Sequence, residues 1–432
     1  MIRVPIARLR EHVGETVAVA GWVQTLRLQR AMQFVILRDH TGTVQLTHRR
    51  DGGDLERELD GLTVESAVRV TGVVAGNPVV SLGGLEIVPE RVSVENRAAT
   101  PLPIGDSTGP EGRADWRFLD VRRHPAARLV FAVATTVERA MREFAYAEGC
   151  IELHTPKLMG TASESGAEVF ELGYFGRRAY LAQSPQFYKQ MAIAAGIDRV
   201  FEIGPVFRAE PSFTSRHATE FTGVDVELAW ISGVEDVMDF EERMLAHVLA
   251  AVAEAHGAAF RESFGVEVRV PRVPFPRLPL AQALQLSRTD PADSPRADLD
   301  PAGERATSAH IAGQTGHEFV FVTEYPASVR PFYHMRPPGE PDLTCSFDLL
   351  WRGLEITTGA QREHRYEVLV SQAAEKGLSL EPMRSYLDCF RYGCPPHGGF
   401  GLGLGRLLMV LLGLDSIREA TFLFRGPNRL SP

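Results

Sequence analysis

Short runs of alternating apolar and polar residues open the chain. Val17–Leu28, Gln33–Arg38, Val44–Thr47, Ala67–Val74 and Leu85–Val94 are rich in valine and other strand formers, with turn sequences such as His40-Thr41-Gly42 and Gly76-Asn77-Pro78 between them. Five such strands predict a small OB-type barrel over residues 1–96, a fold that often binds single-stranded nucleic acid on one face, and the pattern fits other small β-barrels equally well. Residues 97–120 hold Pro101, Pro103, Gly105, Gly109, Pro110 and Gly112, the composition of a linker or hinge. Beyond residue 121 the pattern mixes helices and strands without regular βαβ alternation, which predicts an α+β domain with an antiparallel sheet flanked by helices over 121–432. Long amphipathic helices are expected from Arg128 to Glu148, stopped by Gly149, and from Gly233 to His256. Ser184-Pro185 should start another helix, with serine as N-cap and proline at the first position. Ser287–Pro301 is polar and proline-rich and reads as an exposed loop, and no internal repeat is present.

At 432 residues the chain exceeds one ordinary core, so at least two domains are expected. A 44% hydrophobic and 23% charged composition is that of a soluble globular protein. No apolar run is long enough to span a bilayer and no charged start precedes an apolar core, so a cytoplasmic location is the expectation. Cys150, Cys345, Cys389 and Cys394 lack zinc-ligand spacing and are too few for a disulfide scaffold. The net charge of −9 argues against indiscriminate nucleic-acid binding, which needs a broad cationic surface. Residues 1–100, however, carry 12 arginines and no lysine against 12 acids, so the whole excess lies further on and the N-terminal part is the better candidate for meeting RNA. Lysine occurs only at positions 157, 189 and 376 among 46 basic residues, which draws notice to each one kept.

Phe207-Arg208-Ala209-Glu210, followed by Arg216-His217-Ala218-Thr219-Glu220-Phe221, has a strand-loop-strand pattern that presents two arginines and a histidine to a polyanion, the make-up of a triphosphate grip. Gly399-Phe400-Gly401-Leu402-Gly403-Leu404-Gly405-Arg406 runs from a glycine-rich strand into an apolar helix, and no Gly-Lys-Ser/Thr follows, so it is not a Walker loop. Each alone has an ordinary explanation, a solvated surface pair or a close backbone contact. Their order and spacing, with the helix upstream that leads through Cys150-Ile151-Glu152-Leu153-His154-Thr155-Pro156, together resemble motifs 1 (128–156), 2 (201–230) and 3 (399–412) of class II aminoacyl-tRNA synthetases.

That resemblance implies ATP as a substrate, Mg²⁺ as cofactor and a homodimer formed through motif 1. It implies that Arg208 and Arg406 contact the phosphates and are the catalytic pair. Ala209, Glu210, Arg216, His217, Ala218, Glu355, Gly403, Leu404 and Gly405 would complete the ATP site. Asp348, Glu355 and Thr358 would be the metal ligands, since hard oxygen donors suit Mg²⁺. Gln183-Ser184-Pro185-Gln186-Phe187-Tyr188-Lys189-Gln190 and Glu355-Ile356-Thr357-Thr358-Gly359-Ala360-Gln361-Arg362 resemble signatures of the aspartyl branch. In that branch Lys189 and Arg362 would pair with the substrate's side-chain carboxylate. Gln186, Phe187, Tyr188, Arg208 and Thr358 would line the aspartate site, and Glu164, in Thr161-Ala162-Ser163-Glu164-Ser165-Gly166, would engage the ammonium. Two cations facing one pocket would demand an anion.

In the barrel, Phe34 matches an aromatic that stacks on an anticodon base, with Arg27 and Gln45 reading beside it. The resemblance covers nearly the whole chain and is to the compact archaeal and eukaryotic type. It departs at Gly405, where the family usually has an acid, and at Thr358, which replaces a common serine. The expected activity is aspartate–tRNA ligation on tRNA(Asp), with tRNA(Asn) as a further acceptor if third-base reading is relaxed, and then with an amidotransferase downstream. Asparagine–tRNA ligation, a tRNA-independent amide ligase of the asparagine-synthetase kind and a pure RNA-binding regulator are the rival expectations.

Overall fold

The computed structural model describes residues 3–161, 168–211, 214–287 and 298–432. The chain forms two compact units, Met1–Gly109 and Pro110–Pro432.

In the first unit, strands β1 (Thr16–Leu28), β2 (Met32–Arg38), β3 (Thr43–Arg49), β4 (Ala67–Gly76) and β5 (Leu85–Asn96) close a barrel in the order β1-β2-β3-β5-β4, and a short helix α1 (Asp54–Asp60) lies between β3 and β4. Each expected strand is present within a few residues of its expected ends. The alternation works as the pattern requires: Val35, Leu37, Val44, Leu46, Val68 and Val70 fill the barrel while their neighbours face outward.

The second unit begins inside the expected linker. Residues expected to be irregular form helices α2 (Pro110–Asp115) and α3 (Arg117–Arg123), because Pro110 sits at a helix start, where its missing N–H costs nothing, and Arg117, Leu119 and Asp120 are buried. Helix α4 (Pro125–Ala147) follows, then strands β6 (Ile151–Glu152), β7 (Leu158–Met159), β8 (Glu171–Tyr174) and β9 (Arg177–Leu181). Next come α5 (Gln186–Ala194), β10 (Arg199–Phe207), β11 (Glu220–Ala229) and α6 (Val234–Phe264). Strand β12 (Arg277–Pro279), α7 (Leu280–Ser287), α8 (Pro301–Thr315) and β13 (Phe319–Thr323) lead to the hairpin β14 (Ser346–Trp351) and β15 (Leu354–Arg362). The unit ends with α9 (Tyr366–Glu375), α10 (Arg384–Arg391), β16 (His397–Gly403) and α11 (Leu404–Leu412).

Eight strands make one sheet in the order β12-β13-β14-β15-β16-β11-β10-β6. It is mixed: the run from β13 to β10 is antiparallel as expected, while the edge strands β12 and β6 pair in parallel. Helices α4, α6 and α11 bury their apolar stripes with the sheet in the largest core, where Val133, Val137, Met244, Leu245, Phe400 and Leu407 are fully enclosed. On α5 the first helical residue is Gln186, one later than expected, and Ser184 Oγ accepts its amide hydrogen at 3.2 Å. Of the expected loop Ser287–Pro301, residues 288–297 lie outside the described residues; Ser287 ends α7, and Pro301 opens α8 with Asp300 Oδ1 accepting from Gly303 N at 2.7 Å.

Candidate active site

One face of the eight-stranded sheet is floored by glycine. Gly399, Gly401 and Gly403 alternate along β16, opposite Glu227, Asp225 and Gly223 on β11, while Ala360 and Thr358 on β15 face Gly399 and Gly401. A side chain at Gly399 would collide with the Val226 carbonyl and the Glu227 carboxylate, so these glycines leave room for their neighbours' functional groups. Above this floor is a cavity of about 350 Å³ lined by β10, β11, β15, β16, the start of α11 and the segment around Arg330.

The residues expected to grip a triphosphate meet there. Arg208, Glu210, Arg216, His217, Ala218, Gly403, Gly405 and Arg406 all line the cavity, though they are up to two hundred residues apart. Arg208 lies against the Phe221 ring at 5.4 Å, Arg216 bonds Glu304 Oε2 at 2.9 Å, and Arg406 donates to the carbonyls of Arg216 at 3.4 Å and Glu355 at 3.2 Å. His217 stands 3.4 Å from Glu210 and accepts or donates at Thr214 Oγ1. Burial, followed by the three arginines, pushes its pKa down against the pull of Glu210, so its imidazole is neutral near pH 7. Ala209 contributes its backbone, donating to the Glu168 carbonyl at 2.7 Å, and Leu404 is buried in the core below. Gly405 has a local cause: a Cβ there would come within 2.9 Å of the Ile417 side chain, which fills the space.

Acids gather at one end. Asp348 and Thr358 are direct cross-strand partners, and a register shift between β14 and β15 leaves Ile356 without a partner, so that Glu355 joins Thr358 on the cavity face three residues away. Thr358 Oγ1 donates to Glu355 Oε1 at 3.2 Å. Arg330 holds Asp348 Oδ2 at 2.6 Å, while Asp348 Oδ1 is buried without a partner. Burial, then the charges of Asp348 and Glu304, push the Glu355 pKa up to about 6, although about a third of its side chain opens to the cavity. Among the described residues no group of three or more His, Cys, Asp or Glu is placed to hold a metal alone.

At the other end the expected aspartate residues separate. Gln186, Arg208, Thr358 and Arg362 line the cavity. Lys189 lies behind its wall, 1% exposed, with Nζ donating to Asp225 Oδ1 at 2.8 Å and to the carbonyls of Phe400 and Val226, and 3.4 Å from Glu227 Oε2. Arg362 donates through Nε to Glu227 Oε1 at 2.9 Å, through Nη2 to the Gly399 carbonyl at 2.8 Å, and through Nη1 to His334 Nε2 at 3.2 Å. Burial, with Arg362 next, drives the His334 pKa well down, so this ring accepts as a neutral base. The two cations are therefore already balanced by two acids, and the sequence argument that their charge alone demands an anion does not hold. Phe187 packs on Tyr386 at 4.0 Å in a separate apolar cluster, and Tyr188 is half-buried without lining the cavity. Glu164 lies outside the described residues.

Several residues in or behind the cavity wall escaped the sequence reading. Asp225, which lines the cavity, and the buried Glu227 carried a signal, two acids spaced by two in the valine-rich half of β11. Arg330 and His334, which line it, and Glu304, which reaches it through Arg216, carried none, since loop and helix segments bring them in from elsewhere in the chain.

On the barrel, Phe34 and Ile36 face outward while Val35 and Leu37 fill the core, so Phe34 is not a core residue. Arg27 is its cross-strand partner on β1, and Thr47 is its partner on β3. Gln45 shares that outer face, two residues along, and donates to Thr47 Oγ1 at 3.0 Å and Glu86 Oε2 at 3.3 Å. Glu86 also accepts from Asn77 Nδ2 at 3.0 Å.

A barrel that presents an aromatic and polar face, and a mixed sheet whose cavity sets three arginines against a cluster of acids, fit a two-unit protein that meets a nucleic acid with one unit and a nucleotide with the other. The chain belongs to the class II tRNA synthetases (D, K and N), whose description matches residues 109–425, and residues 17–95 match the OB-fold nucleic acid binding domain. It is 42% identical to the aspartate–tRNA(Asp) ligase of Pyrococcus horikoshii over 427 residues, 97% of each chain. It is 44% identical to the aspartate–tRNA(Asp/Asn) ligase of Methanopyrus kandleri over 430 residues, 98% of this chain and 97% of that one. Among solved structures, asparaginyl-tRNA synthetase from Pyrococcus horikoshii complexed with asparaginyl-adenylate superposes with a TM-score of 0.92 at 32% identity, covering 100% of both chains.

Proposed function

We propose that the protein is an aspartate–tRNA ligase that activates L-aspartate with ATP to aspartyl-adenylate and transfers the aspartyl group to the 3′ end of tRNA(Asp). The observation that carries the choice of amino acid is the state of Arg362. Its Nη1 donates to a neutral histidine, so an entering side-chain carboxylate exchanges a neutral acceptor for a charged one, whereas an amide oxygen gains no such charge-assisted bond. Curated relatives at over 40% identity that carry the aspartate name support the same choice.

The chain's own groups account for activation. Arg208, Arg216 and Arg406 neutralise the phosphates and hold the α-phosphate in line with the attacking α-carboxylate, so no side-chain nucleophile is needed. Neutral His217 is available to hydrogen-bond without adding charge, and Glu210 orients it. Glu355, Asp348 and Thr358 would hold Mg²⁺ together with substrate phosphates: the unpartnered Asp348 Oδ1 and the mutual repulsion of the acids fit a hard divalent cation. An ion held there would supply charge neutralisation at the phosphates. Phe34, Arg27 and Gln45 are the anticodon readers.

The open edge at β6, where Ile151 is exposed, together with α4 supports a homodimer formed through these elements. No helix among the described residues is long and apolar enough to cross a membrane, in keeping with a cytoplasmic enzyme. The reading extends to tRNA(Asn), with an amidotransferase downstream, because neither Leu28-Gln29 nor Asn77-Pro78, the loops where the third anticodon base would be read, offers a charged reader. The test is amino-acid-dependent pyrophosphate exchange with each of the twenty amino acids, then charging of both transcripts at one salt concentration. Exchange with asparagine alone overturns the aspartate assignment, and a preference for tRNA(Asp) beyond about a hundredfold, the upper end of one direct base contact, overturns the extension.

A further inference from the structure

Helix α6 carries an acid that no part of the proposed chemistry uses. Glu241 is fully buried on the core side of the sheet, and neither carboxyl oxygen makes a close hydrogen bond. Beside it is Thr357, whose hydroxyl is also buried and likewise makes none, although it is near enough to act on the carboxyl. The other charge acting on Glu241 is that of an acid, Glu242. Such a pair inside an apolar core costs stability and has no packing justification.

Its place suggests what it does. Thr357 follows Ile356, the residue left unpaired by the register shift, and separates it from Thr358. Thr357 pairs with Leu349 and Leu402, both in the core, so it points away from the cavity. Glu355 and Thr358 can share the cavity face only while this bulge persists, and a β15 in regular alternation would turn one of them into the core. A polar anchor directly under the bulge selects the bulged register over the regular one.

We propose that Glu241 is a positioning residue that, through Thr357, holds the bulge of β15 and thereby the cavity-facing arrangement of Glu355, Thr358 and Asp348. Burial holds Glu241 as a neutral acid, its pKa pushed up to about 8, so it has a proton to donate toward Thr357 or the bulged backbone. The inference rests on the reading of that acid cluster as the ATP end of the site.

The experiment compares Glu241→Leu, Glu241→Gln and wild type by melting temperature, by calorimetric ATP affinity in the presence of Mg²⁺, and by the KM values for ATP and aspartate in pyrophosphate exchange. Leucine removes the buried polar group, so its melting temperature should equal or exceed that of wild type. Its ATP affinity should fall about tenfold, as when a group supporting metal ligands is lost, with the aspartate KM within about twofold. Glutamine, which keeps a donor, should restore ATP affinity. Unchanged ATP affinity in the leucine variant, or parallel losses of stability and of both KM values in the two variants, would overturn the proposal. Wild-type exchange with aspartate is the control: its absence defeats the functional reading itself, whereas an active wild type beside an unaffected leucine variant defeats only the positioning role.

Discussion

Replacing Lys189 by methionine separates two roles that the fold has merged. The ammonium is 1% exposed and bonds Asp225 at 2.8 Å, with Glu227 at 3.4 Å, so its removal strands buried negative charge. Breaking such a pair costs about 3–5 kcal/mol. With roughly 2–4 °C lost per kcal/mol in a large domain, the midpoint of the second unit should fall by about 6–20 °C. Lys189→Met/Asp225→Asn removes the stranded carboxylate along with its partner, so most of that loss should return. The aspartate KM should behave differently: it should rise in both variants, and more than the ATP KM, because the array that supports Arg362 loses a cation in each. Thermal melts and exchange kinetics on the two variants decide the matter. A double variant that recovers both its midpoint and its aspartate KM would make Lys189 purely structural, and a single variant with an unchanged midpoint would contradict the buried pairing.

Arg208→Ala and Arg406→Ala should each abolish pyrophosphate exchange while the melting curve stays close to wild type, since both side chains face the cavity; near-normal exchange in either would mean the ATP site lies elsewhere. Phe34→Ala should spare exchange but lower kcat/KM for aminoacylation by about one to two decades, the loss of roughly 1–3 kcal/mol of base stacking, and equal losses in both half-reactions would point to misfolding. Burial, then the charges of Asp348 and Glu304, push the Glu355 pKa up to about 6, so the folded protein holds this proton more tightly than the unfolded chain and the group's contribution to stability is lost as pH rises from about 4.5 to 6. In the proposed role its charged form serves ATP, so kcat/KM for ATP should fall as pH drops through 6 in wild type and lose that limb in Glu355→Gln. A wild-type profile flat down to pH 5 would refute this.

Much of the protein was legible in its residue pattern. Period-two alternation marked all five barrel strands, and period 3.6 marked α4 and α6, because each reports which side of a local element is apolar. The order of the motifs named the family and many of the residues that meet around the cavity. Tertiary structure decided what these signals leave open, namely which face meets which partner. It turned Phe34 outward although phenylalanine in a strand is usually core, and it set Lys189 behind the cavity wall on Asp225, so that pocket charge could not be counted from cations alone. The linker became helical beyond Pro110 because distant contacts bury Arg117, whose Nη2 donates to the Glu419 carbonyl at 2.7 Å. Glu304, Arg330 and His334 joined the site from segments with no motif, and one unpaired residue on β15 put Glu355 and Thr358 on a common face. Each of these depends on contacts between residues far apart in the chain, and periodicity records only neighbours.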